Sequence, residues 1–149
     1  MSFSVVIDST DNFTAGTIYD REYAIDWSFL DEGEYEMTFS FLSAPTTAGA
    51  SDVKGVSLLG LGTQMKTYKA GARTDTQSSP LIGLLNRVVF NDGTNKQQFS
   101  QSDYNAPVVI RSRPSNNIFK VRLLSTSTAV ATSGMAGSYI LVLYFKHKC

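Results

Sequence analysis

The strict alternation of polar and apolar residues between Glu34 and Phe41 is the feature that most constrains the fold. Within this segment Tyr35, Met37 and Phe39 are large and apolar, as is Phe41, and every residue between them is polar. A helix would scatter these side chains around its circumference, whereas a β-strand places all of them on one face. The segment is therefore predicted to be a strand with one buried face, and a charge introduced at Met37 should unfold the domain.

Comparable alternation recurs along the chain and indicates that strands dominate it. Apolar side chains occupy every second position in segments 3–7, 23–27 and 119–123. Further strands are predicted at 52–59, 63–69, 82–90, 96–101, 108–111 and 138–146. The last of these is apolar at both sets of alternating positions, which predicts a central strand covered on both sides.

Turn residues separate these segments and limit the architecture. Asn91-Asp92-Gly93 lies between two apolar runs and is a hairpin signal, and segment 71–80 is predicted to be a turn region. No stretch has the apolar spacing of an amphipathic helix, and no repeat or linker indicates a second domain. Eight to ten short strands over residues 1–149 predict a single all-β domain, an antiparallel sandwich or barrel.

The distribution of charge selects one kind of sandwich. Residues 1–36 carry Arg21 as their only base, and residues 104–149 carry six bases and no acid. The acids of the first segment are Asp8, Asp11, Asp20, Glu22, Asp26, Asp31, Glu32, Glu34 and Glu36. Such a split is favourable where opening strands lie beside closing strands, as in a two-sheet single jelly roll, whose first strand pairs with its last. The alternative is that the acidic end of one subunit faces the basic end of its neighbour.

Composition excludes several function classes. The 13 Lys and Arg residues balance 13 Asp and Glu residues, which disfavours general coating of nucleic acid. Cys149 is the single cysteine, so neither an intrachain disulfide nor a cysteine-based zinc site can form, and a reducing compartment is expected. Neither a secretory signal nor an 18-residue apolar run is visible, so we expect a protein that is not secreted by a signal peptide and has no transmembrane segment.

Residues that could carry chemistry are few. His147 is the only histidine, and we expect it on a solvated tail after the last strand, so that deleting residues 147–149 should leave folding intact. The acidic cluster around Asp26 and Glu34 could support glycoside chemistry or calcium binding, but a solvated strand face fits it better. The sequence therefore predicts a non-enzymatic protein with no catalytic, cofactor-binding or metal-binding residues, no cofactor and no small-molecule substrate.

Two surface features leave alternatives open. Arg111, Arg113, Lys120 and Arg122 could form a phosphate-binding patch or pair with the acidic opening third of the chain. Three loops, 44–51, 74–80 and 125–138, are poor in charge and rich in small polar residues. Such loops suit contacts with neighbouring proteins, where charge is depleted, or are simply solvated.

Four segments resemble single jelly-roll capsid proteins, particularly minor capsid or penton-type components, of large eukaryotic DNA viruses and related viruses of protists and algae. They are 2–9 with 12–17 (NFTAGT), 23–27 (YAIDW), 33–41 (GEYEMTFSF), and 113–117 (RPSNN) leading into 119–124 and the closing 139–145. The resemblance implies a structural protein that associates with itself or with other capsid proteins, as a homo-oligomer or part of a large assembly. It also implies location in the virion, after assembly in the host cytoplasm or nucleus, and no catalytic residues.

Three other interpretations remain. A trimeric binding module of the tumour-necrosis-factor or C1q shape would need an aromatic face between subunits, which could be supplied by Tyr19, Tyr23, Tyr68, Tyr104 and Tyr144. A carbohydrate-binding sandwich would need an exposed tryptophan, but Trp27, the only one, falls on an apolar face. An enzyme would have to work with acids alone, through Asp26 or Glu34.

Overall fold

A computed structural model describes residues 2–10, 13–59, 65–68, 76–79, 81–115, 117–126, 129–135 and 137–148. In these ranges the strands form an eleven-stranded sheet and a separate two-stranded sheet, and every strand pair is antiparallel. The single helical segment of the described chain is a 3-10 turn at Trp27–Phe29. No helix among the described residues is long and apolar enough to cross a membrane. The all-β, antiparallel prediction is confirmed.

The described residues contain thirteen strands, more than the predicted eight to ten. They are β1 (Ser2–Asp8), β2 (Phe13–Thr17), β3 (Asp20–Ala24), β4 (Tyr35–Ser43), β5 (Thr46–Thr47), β6 (Gly55–Leu59), β7 (Met65–Tyr68), β8 (Thr76–Ser79), β9 (Leu81–Asn91), β10 (Asn95–Gln101), β11 (Val108–Ile110), β12 (Ile118–Leu124) and β13 (Tyr139–His147). The strands that were missed, β2, β5 and β8, are short. Strand β8 lies inside segment 71–80, so the prediction that this whole segment is a turn region is wrong.

The strand order brings the two ends of the chain together. The large sheet runs β1-β13-β4-β10-β9-β6-β12-β3-β2, with β11 attached to β4 and β5 attached to β10. Strand β1 pairs with β13 from Ser2 opposite Lys146 to Asp8 opposite Ile140. Strand β3 pairs in the same way with β12, the last strand but one. The prediction that opening strands lie beside closing strands is confirmed.

Strand β9 connects the two halves of this sheet. Its first residues pair with β6, and its residues from Leu85 onward pair with β10. The halves are in contact through their buried faces, because the hydroxyl oxygen of Tyr23 on β3 lies 3.2 Å from that of Tyr139 on β13. The ring of Trp27 lies 5.8 Å from the rings of both Phe119 on β12 and Phe145 on β13. One hydrophobic core therefore serves both halves.

The predicted alternation of buried and exposed residues agrees with the observed burial. In β4, Tyr35, Met37 and Phe39 are buried while the residues between them are partly or fully exposed. The odd-numbered residues of segment 3–7 and the apolar residues of segment 119–123 likewise point towards the core, whereas Val6 points away from it. Successive side chains of a strand point to opposite faces of the sheet, so these apolar side chains all lie on one face, where they are buried away from water.

Two local predictions are wrong. The strand predicted across 23–27 ends at Ala24, because the Asp26 carboxylate accepts a hydrogen bond from the Ser28 amide at 2.9 Å and starts the 3-10 turn that contains Trp27. Strand β13 is central, between β1 and β4, but the described residues cover it on one side only. On its other side Ile140 and Tyr144 are exposed in the monomer.

Candidate assembly surface

The acidic beginning and the basic end of the chain pair with each other. Among the described residues, four ion pairs join them: Arg113–Glu32 at 2.8 Å, Arg122–Asp20 at 3.2 Å, Lys148–Glu34 at 3.0 Å and Lys148–Glu36 at 4.0 Å. All are partly exposed to solvent, and such pairs contribute at most about 1 kcal/mol each, so they fix strand register more than they add stability. The prediction that the charge split is balanced within one chain is confirmed for these residues.

The acidic residues considered for catalysis or calcium binding have structural partners. Asp26 caps the 3-10 turn, and the hydrogen bonds from Ser28 lower the pKa of its carboxyl group. Glu34 and Glu36 both face the ammonium group of Lys148. In the part of the chain that the structure describes, no group of three or more His, Cys, Asp or Glu residues is arranged to hold a metal ion.

His147 is not on a solvated tail, and that prediction is wrong. It is the last residue of β13, with its Nε2 atom 3.1 Å from the carbonyl oxygen of Glu32. Its ring centroid lies 4.9 Å from that of Tyr35, and the next amide, of Lys148, donates to the carbonyl oxygen of Glu34 at 2.8 Å. The signal was present in the sequence, because His147 continues the inward-facing series of odd-numbered residues in β13.

A glycine makes room for this histidine. Gly33 has a φ of +133°, and a Cβ atom there would overlap the Nε2 atom of His147. A larger residue would therefore be strained in its backbone and would also collide with the ring. Cys149 lies outside the described residues.

Several basic side chains of the closing third have partners within the domain. The guanidinium group of Arg113 also donates to the carbonyl oxygen of Leu30 at 3.0 Å. Lys120 lies opposite Glu22 in the pairing of β12 with β3. Arg111 is exposed. These contacts favour the cross-strand interpretation of the basic segment over the phosphate-binding one.

The closing loop is attached to the body of its own domain. The Asp52 carboxylate accepts hydrogen bonds from the amides of Ser133 at 2.9 Å and Thr132 at 3.1 Å. Burial alone would raise the pKa of Asp52, but the hydrogen bonds from Ser133 and Thr132 outweigh it and lower that pKa. The Tyr19 hydroxyl donates to the carbonyl oxygen of Met135 at 2.6 Å, and Met135 is buried.

The other charge-poor loops contain short strands. Thr46–Thr47 of segment 44–51 pairs with β10. Segment 74–80 contains β8, and its residues 74, 75 and 80 lie outside the described residues. Much of these loops is therefore engaged within the domain. Neither of the two interpretations of the loops, contact with neighbouring proteins or exposure to solvent, considered this outcome.

Two of the aromatic residues on which the rival binding functions depend are buried. Trp27 is buried in the core and offers no platform for a sugar. Tyr23 is also buried, in a pair of hydroxyl groups with Tyr139, where burial raises the pKa of both phenols. Of the other candidates, Tyr104 and Tyr144 are exposed, and the side chain of Tyr68 lies outside the described part of the chain.

A group of exposed apolar side chains lies on one side of β1, β13 and β4. Val6 is 66% exposed, Leu42 54%, Ile140 47% and Tyr144 44%. They are near one another, because Ile140 pairs with Leu42 and the half-buried Val142 pairs with Val6. We call Val6, Leu42, Ile140, Val142 and Tyr144 the outer face. An open groove of about 340 Å³ crosses the same side beside Tyr144.

Sequence reasoning did not identify the outer face, although the apolar residues at even positions of β13 were its signal. Those residues were attributed to a second covering layer of the same chain, but none of the described residues supplies it. Monomers rarely leave such adjoining apolar residues exposed unless they take part in binding or association.

No protein family model matches the chain, and neither does any curated protein or any solved structure.

Proposed function

We propose that this chain is a non-enzymatic structural protein, a single jelly roll that forms a minor capsid or penton-type component of a large eukaryotic DNA virus or a related virus of protists or algae. In this proposal the protein resides in the virion after assembly in the host cytoplasm or nucleus. Its partners are copies of itself or other capsid proteins. The outer face is the observation that carries the proposal, because its apolar residues contribute nothing to the core of the monomer.

The nested pairing of the strands supports the jelly-roll topology. A jelly roll can be drawn as a long hairpin that is rolled up, so that its first strand pairs with its eighth, its second with its seventh, and so on inwards. Among the longer strands of this chain, β1 pairs with β13, β3 with β12, β4 with β10 and β6 with β9. This is the order that rolling one hairpin produces.

Contacts between the halves of the large sheet support a two-layer packing. The hydroxyl pair of Tyr23 and Tyr139 joins β3 to β13, and Trp27 lies between Phe119 and Phe145. These strands belong to opposite halves of the strand order. A sandwich packs two sheets through one shared core in this way.

The partners already assigned to the acidic and basic residues support a scaffold rather than an enzyme. The carboxylates that a catalytic site would require are engaged as a cap at Asp26 and as ion pairs at Glu34 and Glu36. By contrast, the outer face has no partner within the described chain. A specific contact between proteins buries on the order of 800 Å² on each partner, with an apolar centre, and the outer face would provide such a centre.

Electron cryomicroscopy of purified particles from the source of this sequence tests the proposal. We expect shell density into which the thirteen-strand domain fits, with the outer face or the edge of β1 against a neighbouring protein. A shell resolved completely without this chain would contradict the proposal.

A further inference from the structure

Strand β1 leaves one edge of the large sheet open. Among the described residues it pairs with β13 on one side and with no strand on the other. Its register is continuous over Ser2–Asp8, and it contains no lysine, proline, glycine or bulge. Those are the features with which proteins block pairing at an exposed edge, so this edge is competent to pair with another strand.

The hydrogen bonds identify which backbone groups face outwards. The Ser9 amide donates to the carbonyl oxygen of Tyr139 at 3.0 Å, so residue 9 belongs to a hydrogen-bonded pair. Because such pairs alternate along an antiparallel ladder, residues 3, 5 and 7 also bond to β13. The amide and carbonyl groups of Ser4, Val6 and Asp8 therefore point to the open edge.

We propose that β1 pairs antiparallel with β1 of a second copy of this chain, with Ser4 opposite Val6 of the other copy. The pairing is symmetric about a two-fold axis at Val5, and it joins the two large sheets into one. Each copy then satisfies the outward-facing backbone groups of the other. This inference rests on the proposed function, since it names the partner and the surface through which the scaffold assembles.

The side chains of β1 are complementary in this register. On the core side Phe3 of each copy lies opposite Ile7 of the other, and the two Val5 residues are opposite each other, so only apolar residues meet. On the outer side each Val6 lies opposite Ser4 of the other copy, and the two Val6 residues are diagonal neighbours about 7–8 Å apart. The pairing thus gives a contact to Val6, the most exposed apolar residue of the outer face.

Charge also favours the second copy as the occupant. Asp8 of each copy falls opposite Ser2 of the other, and Ser2 pairs with Lys146 on β13. The Asp8 of one copy and the Lys146 of the other therefore lie in one row on the outer side, with β1 of the second copy between them and their backbones about 10 Å apart. Within a single chain, six residues of strand separate the positions of Asp8 and Lys146, about 20 Å, so the two cannot pair internally. Lys146 has no ion pair among the described residues.

Sedimentation velocity of the full chain over a range of concentrations tests the inference. We expect a reversible monomer–dimer equilibrium for the wild type. Val6→Lys, which places a charge on the open edge without touching the core, should weaken the dimer by about tenfold or more. Val89→Lys is the matched control, because Val89 is a similarly exposed valine on β9, and it should leave the equilibrium unchanged.

A charge exchange tests the register. Asp8→Lys should weaken the dimer by placing two lysines near each other, and Asp8→Lys combined with Lys146→Asp should restore it towards the wild-type value. Circular dichroism verifies that each variant is folded. A wild-type chain that stays monomeric throughout, or a Val6→Lys variant that dimerises like the wild type, overturns the inference.

Failure of the charge exchange to restore the dimer would overturn the proposed register. These outcomes are separable from the proposed function, because a monomeric chain could still be found in the particle shell. Conversely, a dimer in solution would not rescue the capsid proposal if the shell lacked this chain.

Discussion

The two sides of the β1-β13-β4 region consist of alternate residues of the same strands, yet their environments are opposite. On the inner side, residues such as Met37 and Leu141 are buried. No side chain of the buried apolar core is more than 9% exposed. On the outer side, Val6 and Ile140 are about half exposed or more. Folding accounts for the apolar residues of the inner side only. Those of the outer side call for a different explanation, and we propose association with another chain.

Met37→Asp should have the largest effect, because it places a charge among Tyr35, Phe39 and Phe41 on the inner side. Burying an unpaired carboxylate costs several kcal/mol, comparable with the roughly 5–15 kcal/mol by which a domain of this size is stable. We expect an unfolded or aggregated chain by circular dichroism. Thr38→Asp, one residue away on the outer side, should cost about 1 kcal/mol. A folded Met37→Asp variant with a cooperative transition would contradict the assignment of the two sides.

Deletion of residues 147–149 tests how far the inner side extends. His147 packs on Tyr35, and the Lys148 amide bonds to Glu34, so the deletion should lower the free energy of unfolding by about 2 kcal/mol. Urea denaturation measures this change. Deletion of Cys149 alone is the control and should have little effect. Equal stability of both truncated chains would mean that His147 contributes nothing to the fold.

Asp52→Asn tests whether the closing loop is stabilised by the domain itself, unlike the outer face. The variant loses charge-assisted hydrogen bonds to Thr132 and Ser133, and because the site is partly exposed we expect a loss of about 1 kcal/mol at pH 7.

The pH dependence follows from the lowered pKa of Asp52. A carboxyl group whose pKa is lower in the folded state stabilises the protein above its unfolded pKa, about 3.9, and loses that contribution as the pH falls through the folded value. Thermal melts from pH 7 to pH 2 should therefore show the difference between wild type and Asp52→Asn shrinking below about pH 4. A difference that is independent of pH would contradict this role.

Ile140→Ser should have the smallest effect on stability, about 0.5 kcal/mol, because the side chain is exposed on the outer side. Leu141→Ala, its buried neighbour on the same strand, should cost about 2–5 kcal/mol. Urea titration of the two variants compares the sides within one strand. A large loss for Ile140→Ser would mean that the outer face is covered within the monomer.

The inner side could be predicted from the sequence because a period of two directly encodes which residues of a strand share a face. The pairing of the chain ends could be predicted because opposite charges on the two ends favour neighbouring strands. The burial of Trp27 was predicted correctly but its secondary structure was not. A buried side chain in a 3-10 turn can occupy the same position in an alternating sequence as a buried side chain in a strand. The short strands β2, β5 and β8 carry too few apolar residues to give a signal.

Segment 138–146 was predicted to be covered on both sides because apolar residues on both sides of a strand are typical of a central strand between two layers. The sequence gives no information on whether the covering layer comes from the same chain or from another. The position of His147 was missed for a related reason. Its place in the alternating series was visible, but its nearness to the end of the chain predicted fraying.

Amide hydrogen exchange of the purified chain at low and high protein concentration tests most directly whether the open edge is an association surface. At high protein concentration we expect slower exchange at the amides of Ser4, Val6 and Asp8, and unchanged exchange along β2. Strand β2 forms the opposite end of the large sheet and is interrupted by a bulge. Exchange at these three amides that does not depend on concentration, or slowing along β2 instead, would contradict it.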